Sequence, residues 1–227
     1  MARSFGRLRP ATVLKRTLTA SASGSGQHLD HLLVVDFEAT CDRPVQTDPQ
    51  EIIEFPCMNI DVGRTAVASE FHAYVRPEVN PVLSSFCTEL TGIVQAMVDH
   101  QPTLREVLSK FHSWLDRQGL LTDASVDRWA FVTCGDWDMN IMLKSQCHLL
   151  GLEVPWYFRR WINIKKIVFN ETGQYPAGMM AMLRLLNLRH CGHHHCGIDD
   201  TRNLCNVALE LLKRGQRFYV TGTMRGV

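Results

Sequence analysis

The chain has 227 residues, 45% of them apolar and 21% charged, which is enough to bury one core and too apolar for a wholly disordered chain. No apolar run reaches the roughly eighteen residues that a membrane-crossing helix requires, and this excludes a spanning protein and a membrane partner. The net charge of +1 hides an asymmetry: five basic residues and no acid lie in residues 1–29, so residues 30–227 carry −4. Charge alone therefore leaves no nucleic-acid footprint.

Residues 1–29 are rich in Arg, Ser, Thr and Ala and end in a Gly/Ser run. That composition suits an organellar transit segment or a disordered basic arm on a flexible linker, leaving mitochondrial, cytoplasmic and nuclear locations open. The eight scattered cysteines in a chain of this apolar content predict a reducing, intracellular compartment. From residue 30 to 227 the pattern is that of one domain. Residues 32–37 form a short β-branched run that reads as a strand buried on both faces. Residues 51–60 and 70–75 predict two more strands. Leu104, Val107, Leu108, Phe111 and Leu115 recur at helical spacing. Residues 129–133 predict a fourth strand, 138–150 and 200–213 predict helices, and 217–221 an edge strand. Strands followed by strands interleaved with helices imply an α/β fold with a mixed central sheet flanked by helices.

Four acids stand out from the solvated majority. Asp36 and Glu38 sit two apart at the end of the first apolar strand, so alternation points both to one face. A buried acid is costly without a positive partner, and two adjacent acids raise each other's pKa; a divalent cation resolves both problems. Asp138 begins a predicted helix, on the stripe that continues through Ile141 and Met142. Asp200 shares a face with Leu204, Val207 and Leu211. Singly, Asp138 and Asp200 read as helix caps; with Asp36 and Glu38 they read as one metal site. Carboxylates without soft ligands point to Mg2+ or Mn2+, and three Asp with one Glu can hold two ions for in-line displacement at phosphorus. His195, on a glycine-flanked loop five residues before Asp200, has the ordinary pKa of a general base.

These residues resemble the four-acid-plus-histidine (DEDDh) 3′→5′ exonucleases of the ribonuclease-H-like superfamily. Within it they resemble the enhanced-RNAi, or histone-mRNA 3′-end, exoribonuclease family and its prion-protein-interacting branch. The segments DFEATCD (36–42), PQEIIEFP (49–56), FCTELTGI (86–93), VTCGDWD (132–138), WINIKK (161–166) and HCGIDD (195–200) carry the resemblance in order along the chain. It implies a ribonuclease-H-like fold and release of nucleoside 5′-monophosphates from RNA with a free 3′ end, with two Mg2+ or Mn2+ ions. It further implies Asp36, Glu38, Asp138 and Asp200 as metal ligands and His195 as base. Glu38 would contact the terminal nucleotide, the backbone near Ala39 and Thr40 would lie against its ribose, and Leu90 would wedge near its base, with Trp137 able to stack on the same base. One triplet departs: Gly192-His193-His194 stands where relatives carry Gly-Arg-Pro, adding two imidazoles beside the base.

Three other readings stay open. The His190–Cys196 cluster could be a zinc module, although its spacings do not match paired structural ligands. The chain could be a catalytically weak RNA- or protein-binding relative, with an unidentified adaptor. It could also degrade single-stranded DNA, since no 2′-hydroxyl contact is identifiable. Arg159, Arg160, Lys165 and Lys166 are candidates for a basic rim. Trp114, Trp129, Trp156 and Trp161 are expected in the core.

Overall fold

Every position from Leu32 to Val35 in β1 (His31–Val35) is buried, as a strand covered on both faces requires. This computed structural model describes residues 29–224; both readings of the basic N-terminal segment lie outside the described residues. The two-residue β2 (Glu38–Ala39) follows, pairing with the start of β3 (Ile52–Asp61). β1 also pairs antiparallel with β3, and β3 pairs antiparallel with β4 (Ala66–Tyr74). On its other edge β1 pairs in parallel with β5 (Trp129–Thr133). β5 pairs in parallel with β6 (Arg160–Asn163), and β7 (Gly222–Thr223) runs antiparallel at the edge.

Strand alternation sorts the side chains into two cores. Leu33, Val35 and Phe37 face one core, and Leu32 and Val34 the other. Two short helices, α1 (Ser85–Thr91) and α2 (Gln95–Val98), cover Ile53 at the site end of β3. The first core is closed by α3 (Leu104–Arg117), which begins at a Thr103/Glu106 capping box, and by α4 (Lys144–Leu149) through Cys147. The second is closed by α5 (Ile164–Thr172), α6 (Met179–Leu185) and α7 (Gly197–Lys213). The result is the mixed α/β architecture read from the sequence, with helices on both faces. No helix of the described residues is long and apolar enough to cross a membrane.

Several expectations shift. The helix expected from residue 138 opens as a π-helical stretch, Asp138–Leu143, before continuing as α4. The edge strand lies at 222–223 instead of 217–221: the chain first meets β6 at Thr221, whose N–H donates to the Trp161 carbonyl at 3.0 Å, and the paired register then runs through Gly222 and Thr223. Trp156 is 49% exposed, unlike the other three tryptophans assigned to the core; it opens the short 3-10 turn after Pro155 and faces outward. The basic rim is largely consumed within the chain. Arg159 pairs with Glu153 and Arg160 with Asp127, while the Lys165 and Lys166 ammonium groups donate to the carbonyls of Ala177 and Thr221.

Candidate active site

The C-terminal ends of β1 and β5, the start of the π-helical stretch and the N-terminus of α7 converge on one open cavity of about 510 Å³. Asp36, Glu38, Asp138, Asp200 and His195 all line it, together with Ala39, Leu90 and Trp137. Thr40 is the exception among the expected site residues. It is 3% exposed; its N–H donates to the Glu51 carbonyl at 2.8 Å and its hydroxyl accepts the Glu51 N–H at 2.9 Å. Pairing with the start of β3 turns it off the cavity wall.

Each acid is positioned by its element. Asp36 follows the last residue of β1 on the Val34 side, opposite Phe37, as alternation dictates. Asp138 does not cap a helix. Its predecessor Trp137 already has helical dihedrals, and Asp138 Oδ1 instead accepts the Phe37 N–H at 2.9 Å, tying the π-helical stretch to the end of β1. Asp200 sits on the first turn of α7, 2% exposed. Its Oδ2 accepts the His195 N–H at 2.9 Å and lies 3.0 Å from His194 Nδ1, while Oδ1 is buried without a hydrogen-bond partner. His195 adopts a left-handed φ of 69°, and its ring stacks on His194 with centroids 3.9 Å apart. Potential ligand atoms of Glu38, His195 and Asp200 lie within 4.8 Å of one another.

A fifth acid escaped the sequence reading. Glu54, near the start of β3, is fully buried. It accepts the Gly197 and Ile198 N–H groups at 2.9 and 3.2 Å, and His72 Nε2 lies 2.7 Å away. The positive end of α7 thus rests on a carboxylate. The detectable signal was an acid inside the apolar run of PQEIIEFP, the same anomaly that marked Asp36. Arg184 of α6 and Gln50 also reach the cavity; neither carried a distinctive sequence signal, because an Arg on a short helix or a Gln in a loop is ordinary surface chemistry.

The electrostatics are those of a crowded anionic site. Burial, then the charges of Asp138, Asp200 and Glu54, hold the Asp36 carboxyl well above its usual range. Burial, then Asp36, pushes Glu38 up to about 10. Burial raises Asp138 to about 6, against the lowering effect of the Phe37 N–H. His195 moves the other way: burial and the neighbouring His194 and His193 depress it, opposed by Asp200. Carboxyls that resist ionisation in the absence of a cation, with a buried orphan oxygen on Asp200, fit a divalent metal held by oxygen ligands.

Residues 33–208 match the exonuclease family. ERI1 exoribonuclease 3 of Mus musculus is 50% identical over 196 residues, covering 86% of this chain and 57% of the relative. The chain thus spans less than two thirds of the length of that relative. Among solved structures, the nuclease domain of 3′hExo, a DEDDh family member bound to rAMP, superposes with a TM-score of 0.79 at 33% identity, covering 88% of this chain and all of that one. A 3′-exonuclease in 3′-end specific recognition of the histone mRNA stem-loop gives 0.79 at 32%, covering 88% of each chain. Both are ribonuclease-H-like folds. The acids and histidine gathered at the cavity lie inside the matched span, and the chain belongs to the exonuclease family, in its ERI1 and histone-mRNA 3′-exonuclease group.

Proposed function

We propose that this chain is a 3′→5′ exoribonuclease that hydrolyses RNA from a free 3′ end and releases nucleoside 5′-monophosphates. Its family carries dependence on a divalent cation; Mg2+ or Mn2+, two per site, is the finer assignment. The observation that carries the reading is the convergence of Asp36, Glu38, Asp138 and Asp200 on one open cavity with a histidine at its rim. A mononucleotide bound to one solved relative, and an RNA stem-loop recognised by another, support RNA as the substrate class.

In this reading Asp36, Glu38, Asp138 and Asp200 would hold the cations, which would supply Lewis-acid stabilisation of charge developing on the phosphate. His195 takes the proton of the attacking water on a ring nitrogen. Its depressed pKa keeps the imidazole neutral and able to accept at neutral pH. Asp200 holds the loop that carries the base by accepting the His195 backbone N–H. Leu90 and Trp137, on the cavity wall and 36% exposed in the case of Trp137, bracket the terminal base without reading its hydrogen-bonding edge, which suits a trimmer indifferent to sequence. Arg184 supplies a cation to a phosphate from the α6 side.

The test uses 5′-labelled single-stranded RNA with Mn2+, beside a chelator control and a His195→Ala variant. The expected result is a ladder shortening from the 3′ end, absent with chelator and slowed about 10²–10⁴-fold in the variant. Intact RNA with undiminished binding would overturn the enzyme in favour of a binding protein. Equal rates on DNA of the same sequence would overturn the ribose preference.

A further inference from the structure

The loop that delivers His195 contains a second set of metal-ligand atoms. His190 Nε2 faces Asp200 Oδ1 at 3.9 Å, and both atoms are buried with no hydrogen-bond partner among the described residues. His194 Nδ1 approaches the same carboxylate at 3.0 Å. Ligand atoms of His190, His194 and Asp200 lie within 4.8 Å of one another. The loop bearing the two imidazoles is fixed to α7: Asn203 accepts the Cys191 N–H at 3.1 Å and donates to the Cys191 carbonyl at 2.7 Å, and Asp199 accepts the His193 N–H at 3.0 Å.

Two opposed buried polar atoms left unpaired are expensive, since each forfeits its solvation without a replacement bond. A cation between them satisfies both. The donor set separates this position from the carboxylate site: two imidazoles and one carboxylate are the ligands of zinc-type cations, with a fourth position left to solvent, whereas Mg2+ prefers oxygen alone. At metal–ligand distances of about 2.1 Å, tetrahedral ligand atoms stand about 3.4 Å apart, so the His190–Asp200 separation needs to close by only about half an ångström.

We propose that His190, His194 and Asp200 form a binding site for one Zn2+-type cation, and that filling it inhibits the enzyme by drawing the Asp200 carboxylate out of the catalytic set. Asp200 cannot serve both sites fully. The His194 ring that would turn toward the ion is also the one stacked on His195, so occupancy disturbs the base as well. The inhibitory half rests on the exonuclease reading; the binding half does not.

The experiment takes chelator-stripped full chain in excess Mg2+ and titrates Zn2+ against a chromophoric zinc chelator. Co2+ serves as a spectroscopic substitute, and His190→Gln and His194→Ala are tested separately. RNA cleavage is followed in parallel. One Zn2+ per chain is expected, with affinity about 10-fold or more weaker in each variant. Without zinc, His190→Gln should cleave as the unmutated chain does and need correspondingly more Zn2+ for half-inhibition. Equal Zn2+ affinity and an unchanged Co2+ spectrum in both folded variants would overturn the site, as would the absence of tight zinc binding. Zinc binding that depends on His190 and His194 in a chain that never cleaves RNA would uphold the site and refute the exonuclease reading instead.

Discussion

Asp36 and Glu54 are both buried carboxylates, and their surroundings assign them opposite duties. Glu54 spends its oxygens on two α7 N–H groups and faces His72, whereas Asp36 meets mainly other acids. Asp36→Asn should therefore leave the fold intact and raise the melting temperature of the metal-free protein, because a buried carboxyl that must take up a proton to fold is gone. Activity should fall by more than about 100-fold, since even groups that merely orient a metal ligand cost about 10–100-fold. Circular dichroism with single-turnover cleavage checks both halves, and an Asp36→Asn protein that cleaves normally would remove Asp36 from the site. Glu54→Gln should do the reverse, costing about 1–3 kcal/mol in urea denaturation as charge-assisted hydrogen bonds to α7 weaken. The four metal-site acids were legible because each interrupts an apolar pattern. Glu54 has the same signature, yet a sequence does not say whether a buried acid will meet a helix end or a cation. Thr40 shows the converse limit: the family resemblance implied that the backbone near it contacts substrate, whereas its N–H pairs with the Glu51 carbonyl and its side chain is turned inward.

At the scale of elements, the site depends on how closely α7 approaches β1 and β2. Gly197 opens that helix, and a methyl group there would stand 2.9 Å from Glu54 Oε2 and 3.1 Å from the Asp36 carbonyl. The first is held by the Gly197 and Ile198 N–H groups and by His72, and the second is main chain directly after β1, so neither retreats cheaply. Gly197→Ala should thus push the start of α7 outward, carrying Asp200 and the His195 loop with it. Cleavage should drop by about 10-fold or more, as when a group that orients a metal ligand is displaced, while the melting temperature falls only a few degrees. Melting curves with cleavage rates on the same preparation decide it; full activity would mean that helix placement tolerates the shift. The long elements were readable from periodicity: β1, β5 and α3 lie within a residue or two of their expected ranges. β2 and β6, of two and four residues, are too short to show a period and exist because neighbouring strands offer partners. The π-helical opening of 138–143 was equally hidden, since apolar spacing fixes a face and not the hydrogen-bond step; such insertions often mark functional positions.

For the whole molecule, the cluster of acids makes folding, metal binding and pH one linked equilibrium. Glu38 rises from 4.5 to about 10 and Asp138 from 3.8 to about 6 in the metal-free fold. The folded chain then holds protons that the unfolded chain has already released. Stability from these groups is complete below their unfolded pKa values and is lost as pH climbs through the folded ones, first near 6 and then toward 10. Metal-free protein should therefore melt at progressively lower temperature between about pH 5 and pH 9. A divalent cation binds the ionised carboxylates and displaces those protons, so its affinity grows with pH, and excess ligand stabilises in proportion to that affinity. The gap between melting curves with excess Mn2+ and with chelator should widen steadily across the same range, and Asp36→Asn should shrink it at every pH. Curves that coincide at high pH would mean that the convergent acids do not hold a cation at all. Curves separated by a constant amount would place binding on groups that do not titrate in this window, and so away from Glu38 and Asp138.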